Sequence, residues 1–188
     1  MIHNFWYTIS NLGTSERQSE NDKRMLILTN RLNFLIGVIM LGLFVFITLI
    51  LGFGILGYST IRLGIISLIC AFNLYIAYKG FFCISKLSLT IVVPFFILLF
   101  NLFFERIEDE YFTYYTYSAI TLSVIPWLIF SAKKEKIPLF ISVLYLGILV
   151  LFMDKILVYF SKDELPIYTI IKNFYPFYKI AQIAIYLF

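Results

Sequence analysis

Five long apolar runs alternate along this chain with short charged connectors whose sign changes from one to the next. A helix rising about 1.5 Å per residue needs about 20 residues to cross a hydrocarbon core of about 30 Å. In hydrocarbon the backbone must satisfy its own polar groups, which leaves helices and closed barrels as spanning forms. The runs therefore predict an all-α fold, a polytopic transmembrane helical bundle. Complete spans are expected over 33–56, 61–78, 87–104, 112–131 and 137–153, with a sixth opening near Tyr178. That sixth stub covers less than half of the core. It is expected either as one kinked span over 166–188 or, preferably, as the front of a longer one, because a terminus in mid-membrane strands helix carbonyls.

Composition closes off a soluble alternative. The 188 residues are 61% hydrophobic and 14% charged, against about 45–50% and about 25% in a soluble domain. A soluble fold of this length buries only about 70% of the surface its unfolded chain exposes. Lipid is the expected solvent and first partner.

The positions of the basic residues matter more than the formal charge of +4. Arg17, Lys23, Arg24 and Arg31 precede the first span, Lys79 and Lys86 lie in the second connector, and Lys133, Lys134 and Lys136 lie in the fourth. These are nine of the fifteen basic residues. The third connector instead carries Glu105, Glu108, Asp109 and Glu110 against Arg106, and the fifth mixes Asp154, Asp163 and Glu164 with lysines. Lysine and arginine decide orientation, so a cytoplasmic N-terminus in a bacterial inner membrane is expected. The same segregation accounts for the basic surplus without contact to nucleic acid.

Residues 1–31 form a separate cytoplasmic piece ahead of the bundle of 32–188. Phe5, Ile9 and Leu12 recur at helical spacing beside Trp6, suited either to the membrane interface or to packing under the bundle. Gly13 is a plausible helix stop. Ser15 with Gln18 has the form of a capping box, placing the start of a second helix there. Nothing then forces a break before Phe53.

Residue types that do chemistry are scarce. His3 is the single histidine, and Cys70 and Cys83 show no zinc spacing. No metal site, cofactor or catalytic dyad is expected, and hence no enzyme within these residues. Gly52, Gly54 and Gly57 spell G-x-G-x-x-G, but at the end of an apolar span and not between a strand and a helix, so the match is accidental. Tyr114, Tyr117, Ser118 and Thr121 recur on one face of the fourth span. Such a face is expected to point into the bundle, as the wall of a ligand pocket or as interhelical hydrogen bonds. Asn73 and Asn101 are expected to glue helices, and Ser67 with Ala71 forms a small-xxx-small packing pair. Pro94 and Pro126 are expected to kink spans three and four. No charge is read deep in the first five spans.

Two stretches carry a resemblance: Arg24-Met-Leu-Ile-Leu-Thr-Asn-Arg31-Leu-Asn-Phe-Leu-Ile36, leading into span one, and Pro126-Trp-Leu-Ile-Phe-Ser-Ala-Lys-Lys-Glu-Lys136, leaving span four. With the span order, they resemble the N-terminal six-span membrane domain of bacterial sensor proteins that carry histidine-kinase, nucleotide-cyclase or LytTR-type outputs. The resemblance implies an input or scaffold module that holds an output domain in cis at the membrane, most naturally as a homodimer. The alternative from the residues is a small transporter or accessory membrane subunit, for which Asn73 and Pro94 are the only hints.

Overall fold

Capping chemistry sets where the helices begin and end. The computed structural model describes residues 2–16, 18–50, 57–104 and 109–160. Helix α1 (Ile2–Ser10) gives way to a turn in which Gly13 has φ 74°, the left-handed conformation that a glycine stop supplies without strain. Only half of the expected capping box forms: the Ser15 N–H donates to Gln18 Oε1 at 3.2 Å. Helix α2 (Glu20–Val45) starts instead at Ser19, whose hydroxyl accepts the Asp22 N–H at 3.3 Å. Glu20 and Asp22 then fall in the first turn, where the helix dipole favours carboxylates.

Through a π turn at Phe46–Ile50, α2 continues as one helical stretch of 30 residues, Glu20–Leu49. The expected boundary at residue 31 therefore falls inside a continuous helix. Helix α3 (Tyr58–Tyr78) is capped by Gly57 and closes in a Schellman turn. There the Phe81 N–H reaches the Ile76 carbonyl, the Gly80 N–H reaches that of Ala77, and Gly80 takes φ 89°. Helix α4 (Phe82–Leu87) runs on through π turns at Ser88–Val92 and Phe95–Leu99 into a 3-10 turn, Phe100–Phe103. Pro94 stands between the two π turns. It has no N–H and its ring crowds the carbonyl four residues back, and the widened coil accommodates both.

Pro126 acts more strongly than a kink. Helix α5 (Asp109–Ser123) stops, Val124 makes a turn, and α6 (Ile125–Ile129) restarts with the proline in its first turn. Helix α7 (Lys136–Phe160) completes the described chain. All described elements are helical, and four stretches are long and apolar enough to cross a membrane: Glu20–Leu49, Thr60–Tyr78, Phe82–Leu99 and Lys136–Phe160. The fourth apolar run is not among them because it is divided between α5 and α6. The sixth expected span lies outside the described residues, as do Gly52 and Gly54.

Helix α7 is central: 44% of its most apolar stretch is buried, against 11% for α2, which exposes Leu35, Val38, Ile39 and Leu49. One core joins Leu98 and Leu102 to Tyr115 and Ala119 of α5 and to Leu146, Val150 and Met153 of α7. A second joins Ile66 and Cys70 of α3 to Leu89, Val93, Ile129, Phe130 and Leu139. Helices α2 and α3 meet at Gly37, where an added Cβ would lie 3.1 Å from the Cys70 Cβ and 3.8 Å from the Ser67 carbonyl oxygen. Ser67 is thus at the close contact, whereas Ala71 is exposed, one helical step round from Cys70.

Gly13 is held for two reasons. Beyond its positive φ, a Cβ there would stand 2.3 Å from the Ala77 carbonyl oxygen and 2.7 Å from the Phe82 ring. Gly80 also has positive φ, but a Cβ would meet nothing within 4 Å. Gly13→Ala is expected to destabilise the protein by about 2 kcal/mol or more, and Gly80→Ala by about 1 kcal/mol, the cost of backbone strain alone. Thermal unfolding midpoints of the two variants in detergent check the order.

Candidate functional site

Polar side chains inside an apolar bundle must find partners, because an unmet buried donor or acceptor costs about 1–3 kcal/mol. Here several find them across helices, although Asn73 Oδ1 and the Tyr145 hydroxyl have none among the described residues. Asn33 of α2 and Asn73 of α3 are fully buried, and the Asn73 amide donates to Asn33 Oδ1 at 3.0 Å. Asn33 in turn donates to the Thr29 carbonyl at 3.1 Å. Ser85 of α4 donates to the Asn73 carbonyl at 3.0 Å. One residue on, Lys86 donates to both carboxylate oxygens of Glu135, at 3.0 and 2.8 Å. A turn further, Thr90 and Ser142 of α7 share a hydroxyl–hydroxyl bond of 2.8 Å. Together these form a polar seam from α2 through α3 and α4 to α7.

The ion pair is the strongest part of the seam. Only 6% of the Lys86 side chain and 23% of that of Glu135 are exposed. The ammonium also stands over the Phe130 ring, 5.6 Å from its centre. Glu135 immediately precedes α7, and its carboxylate accepts the Ser131 N–H at 2.9 Å as well. A charge-assisted bond that also closes the turn into a helix is worth more than either alone. Beside it Lys134 pairs with Asp22 and reaches the Ser19 hydroxyl, tying the start of α2 to the same turn. Gln18, Asp22, Leu26, Phe82, Lys86, Lys134 and Glu135 line an open cleft of about 290 Å³.

The N-terminal helix is fastened to this end. Asn30 donates to the carbonyls of Ser10 and Leu12 at 3.1 and 2.9 Å, and Arg31 Nε donates to Ser10 Oγ at 3.1 Å. Arg31 also lies over the Trp6 ring, and Phe5 and Trp6 meet Phe34 edge-on. Phe5 and Tyr7 remain exposed. So α1 packs on the bundle and still presents an aromatic face.

A second cleft, of about 220 Å³, lies at the opposite end between α2, α3, Phe95–Leu99 and α5. Met40, Leu43, Ile47, Leu63, Ile66 and Ile97 wall it, with Arg62 and Tyr114. Arg62 donates to the Ile97 carbonyl at 3.3 Å, and its buried Nε has no partner among the described residues.

Of the expected pocket wall, Tyr114 borders the Arg62 cleft. Tyr114, Tyr117 and Thr121 are exposed and Ser118 is half-buried, while Tyr115 and Ala119 pack in the core with α7 and Thr116 is buried. Thr121 satisfies its hydroxyl on the Tyr117 carbonyl of its own helix, at 2.9 Å, so it needs no cavity. Asn101 lies in the Phe100–Phe103 turn, its side chain outside the described residues. Asp154, expected in a connector, is buried within α7, on the same face as Val150 and Leu157, because that helix continues to Phe160. Lys79, Lys133, Lys134 and Lys136 stand at turns or a helix start of the seam end, Arg24 near the start of α2 and Lys86 in the last turn of α4, while Arg31 lies within α2 and Arg17 lies outside the described residues. Sequence reasoning passed over Asn33, Glu135 and Arg62. A polar residue at a span boundary was the available signal for each. Among the described residues no three of His, Cys, Asp and Glu are placed to hold a metal ion. No family model, no curated protein and no solved structure matches the chain.

Glu135→Gln leaves the Lys86 ammonium buried without its counter-charge. A cost of about 3 kcal/mol is expected, the lower end for a buried pair because Glu135 is partly exposed. Asp22→Asn removes only the more exposed Lys134 pair and is expected to be nearly silent. Likewise Asn73→Leu is expected to cost more than Asn33→Leu/Asn73→Leu together, since the double variant leaves no orphaned amide. Thermal midpoints of the four proteins decide both comparisons.

Proposed function

We propose that the chain is a non-catalytic membrane input module, which holds a signalling output domain at the bacterial inner membrane. It has five spans, with α5 and α6 together making the fourth, and a sixth beyond residue 160. Its N-terminus and lysine-rich end are cytoplasmic, and it works as a homodimer.

The difference between the two ends carries this reading. At the lysine-rich end, side-chain bonds link α2, α3, α4 and α7 in series. The cleft at that end is lined by the Lys86–Glu135 and Lys134–Asp22 ion pairs, whereas the Arg62 cleft at the other end is walled mainly by apolar side chains with no ion pair across it among the described residues. A signal acts only by having different affinities for two arrangements of the bundle, and an open cleft is where such a difference can arise. The seam would then make the linked ends shift together toward whatever output they hold. The alternative of a transporter would put Asn73 to work on a substrate, but its amide donates to Asn33.

Native cysteines test the orientation. Cys83 is exposed at the lysine-rich end, and Cys70 is buried. A membrane-impermeant maleimide is expected to leave intact cells unlabelled and to label Cys83 in inverted vesicles, with Cys83→Ser as the blank. Labelling of Cys83 in intact cells would reverse the topology. With a reporter cyclase fused after Phe188, Met40→Ala or Leu63→Ala in the cleft is expected to change cyclase output. Output unmoved by both variants removes the input role.

A further inference from the structure

The Arg62 cleft combines a cation with apolar walls at a defined depth. Arg62 is the fifth residue of α3, about 6 Å along the helix axis from its start. That is the depth at which a long cationic side chain reaches the headgroup zone of a bilayer. Its guanidinium is committed on one side only, through Nη1 to the Ile97 carbonyl, where the helix changes from π to 3-10 pitch. The Nε is buried and unpartnered, and no carboxylate lies within ion-pair distance among the described residues. The residue is half-buried with its Nε enclosed and unmet; such a guanidinium favours an oxyanion, and a phosphate matches its forked donors best.

Size and walls narrow the ligand. At about 220 Å³ the cleft falls below the roughly 300–1,000 Å³ of pockets that enclose soluble small molecules. Apart from Arg62 and the Tyr114 ring, the lining is aliphatic side chains and Met40. Leu43 and Tyr114 at its rim are 42% and 53% exposed, so the cleft opens sideways along the apolar surface. Such a slot takes part of an acyl chain lengthwise and leaves the rest in the surrounding lipid.

We infer that this cleft binds an anionic phospholipid of the surrounding membrane, its phosphate on Arg62 and one acyl chain between Met40, Leu43 and Ile47 on one side and Leu63, Ile66 and Ile97 on the other. This deepens the input-module reading by naming the class of its ligand, and it rests on the same cleft. A phosphate already neutralised by choline should bind less well than that of phosphatidylglycerol.

The experiment is native mass spectrometry of residues 1–188 in detergent with added dioleoylphosphatidylglycerol, dioleoylphosphatidylcholine or inorganic phosphate. No reporter cyclase is fused for this measurement, so the outcome is independent of signalling. One phosphatidylglycerol is expected to stay bound, and Arg62→Gln to weaken it at least about tenfold, with Arg62→Lys intermediate. Ile47→Trp fills the slot with the guanidinium intact and is expected to lower occupancy too, which decides the matter if Arg62→Gln does not fold. Retention unchanged in both Arg62→Gln and Ile47→Trp overturns the inference and leaves Arg62 as a link to Ile97. Equal retention of the two lipids, or displacement by millimolar inorganic phosphate, overturns the assignment to an anionic membrane lipid.

Discussion

The Lys86 ammonium sits inside an apolar bundle, and the rest of the lysine-rich end is arranged around keeping it paired. A charge removed from water is costly unless its partner is close and fully hydrogen-bonded. Glu135 meets that demand with both oxygens and fixes the turn before α7 by accepting from Ser131. Phe130 gives the ammonium a ring face. The flanking polar contacts follow the same rule at lower stakes: Ser85 closes the Asn73 carbonyl, and Thr90 meets Ser142. Because each bond crosses between helices, satisfying the buried groups and fixing the helices' mutual positions are the same event.

The irregularities around Pro94 and Pro126 share an origin in proline, unlike the π turn at Phe46–Ile50. Pro94 lies between two π turns, and Pro126 restarts a helix after Val124. An N–H is missing at both places, yet the outcomes differ. Pro94 is buried in a continuous coil, with Val93 and Leu89 fully buried just before it. Pro126, also buried, falls in the first turn of α6, where its missing N–H breaks no intrahelical bond, so the helix restarts there.

The two ends of the molecule suit different tasks. Pairing at the seam leaves little freedom between α2, α3, α4 and α7, whereas the Arg62 cleft keeps an arginine only partly engaged. A membrane module that reports occupancy needs this contrast, one end able to change and the other able to convey the change. The proposed lipid supplies a ligand already dissolved in the same solvent as the protein, so entry requires no path through water.

Length, apolarity and the placing of lysines were enough to read helices, their order and the collection of basic residues at one end, because these depend on one-dimensional periodicity and on charge near span boundaries. Gly13 as a helix stop was legible for the same local reason. The polar pairs were not. Asn73 was visible as an amide in an apolar run, but Asn33, 40 positions away, becomes its partner only when Gly37 lets α2 approach Cys70 of α3. Tyr114, Tyr117 and Thr121 form a polar face that any periodicity argument turns inward, and contact with α7 instead selects Tyr115 and Ala119. Glu135 looked like an ordinary connector charge, and Arg62 like a charge at the edge of the second span, until neighbouring helices packed against them. The chain alone decided which segments avoid water. Packing decided which polar groups meet, since a buried side chain is satisfied by whatever the fold brings within hydrogen-bond reach, and sequence distance does not record that.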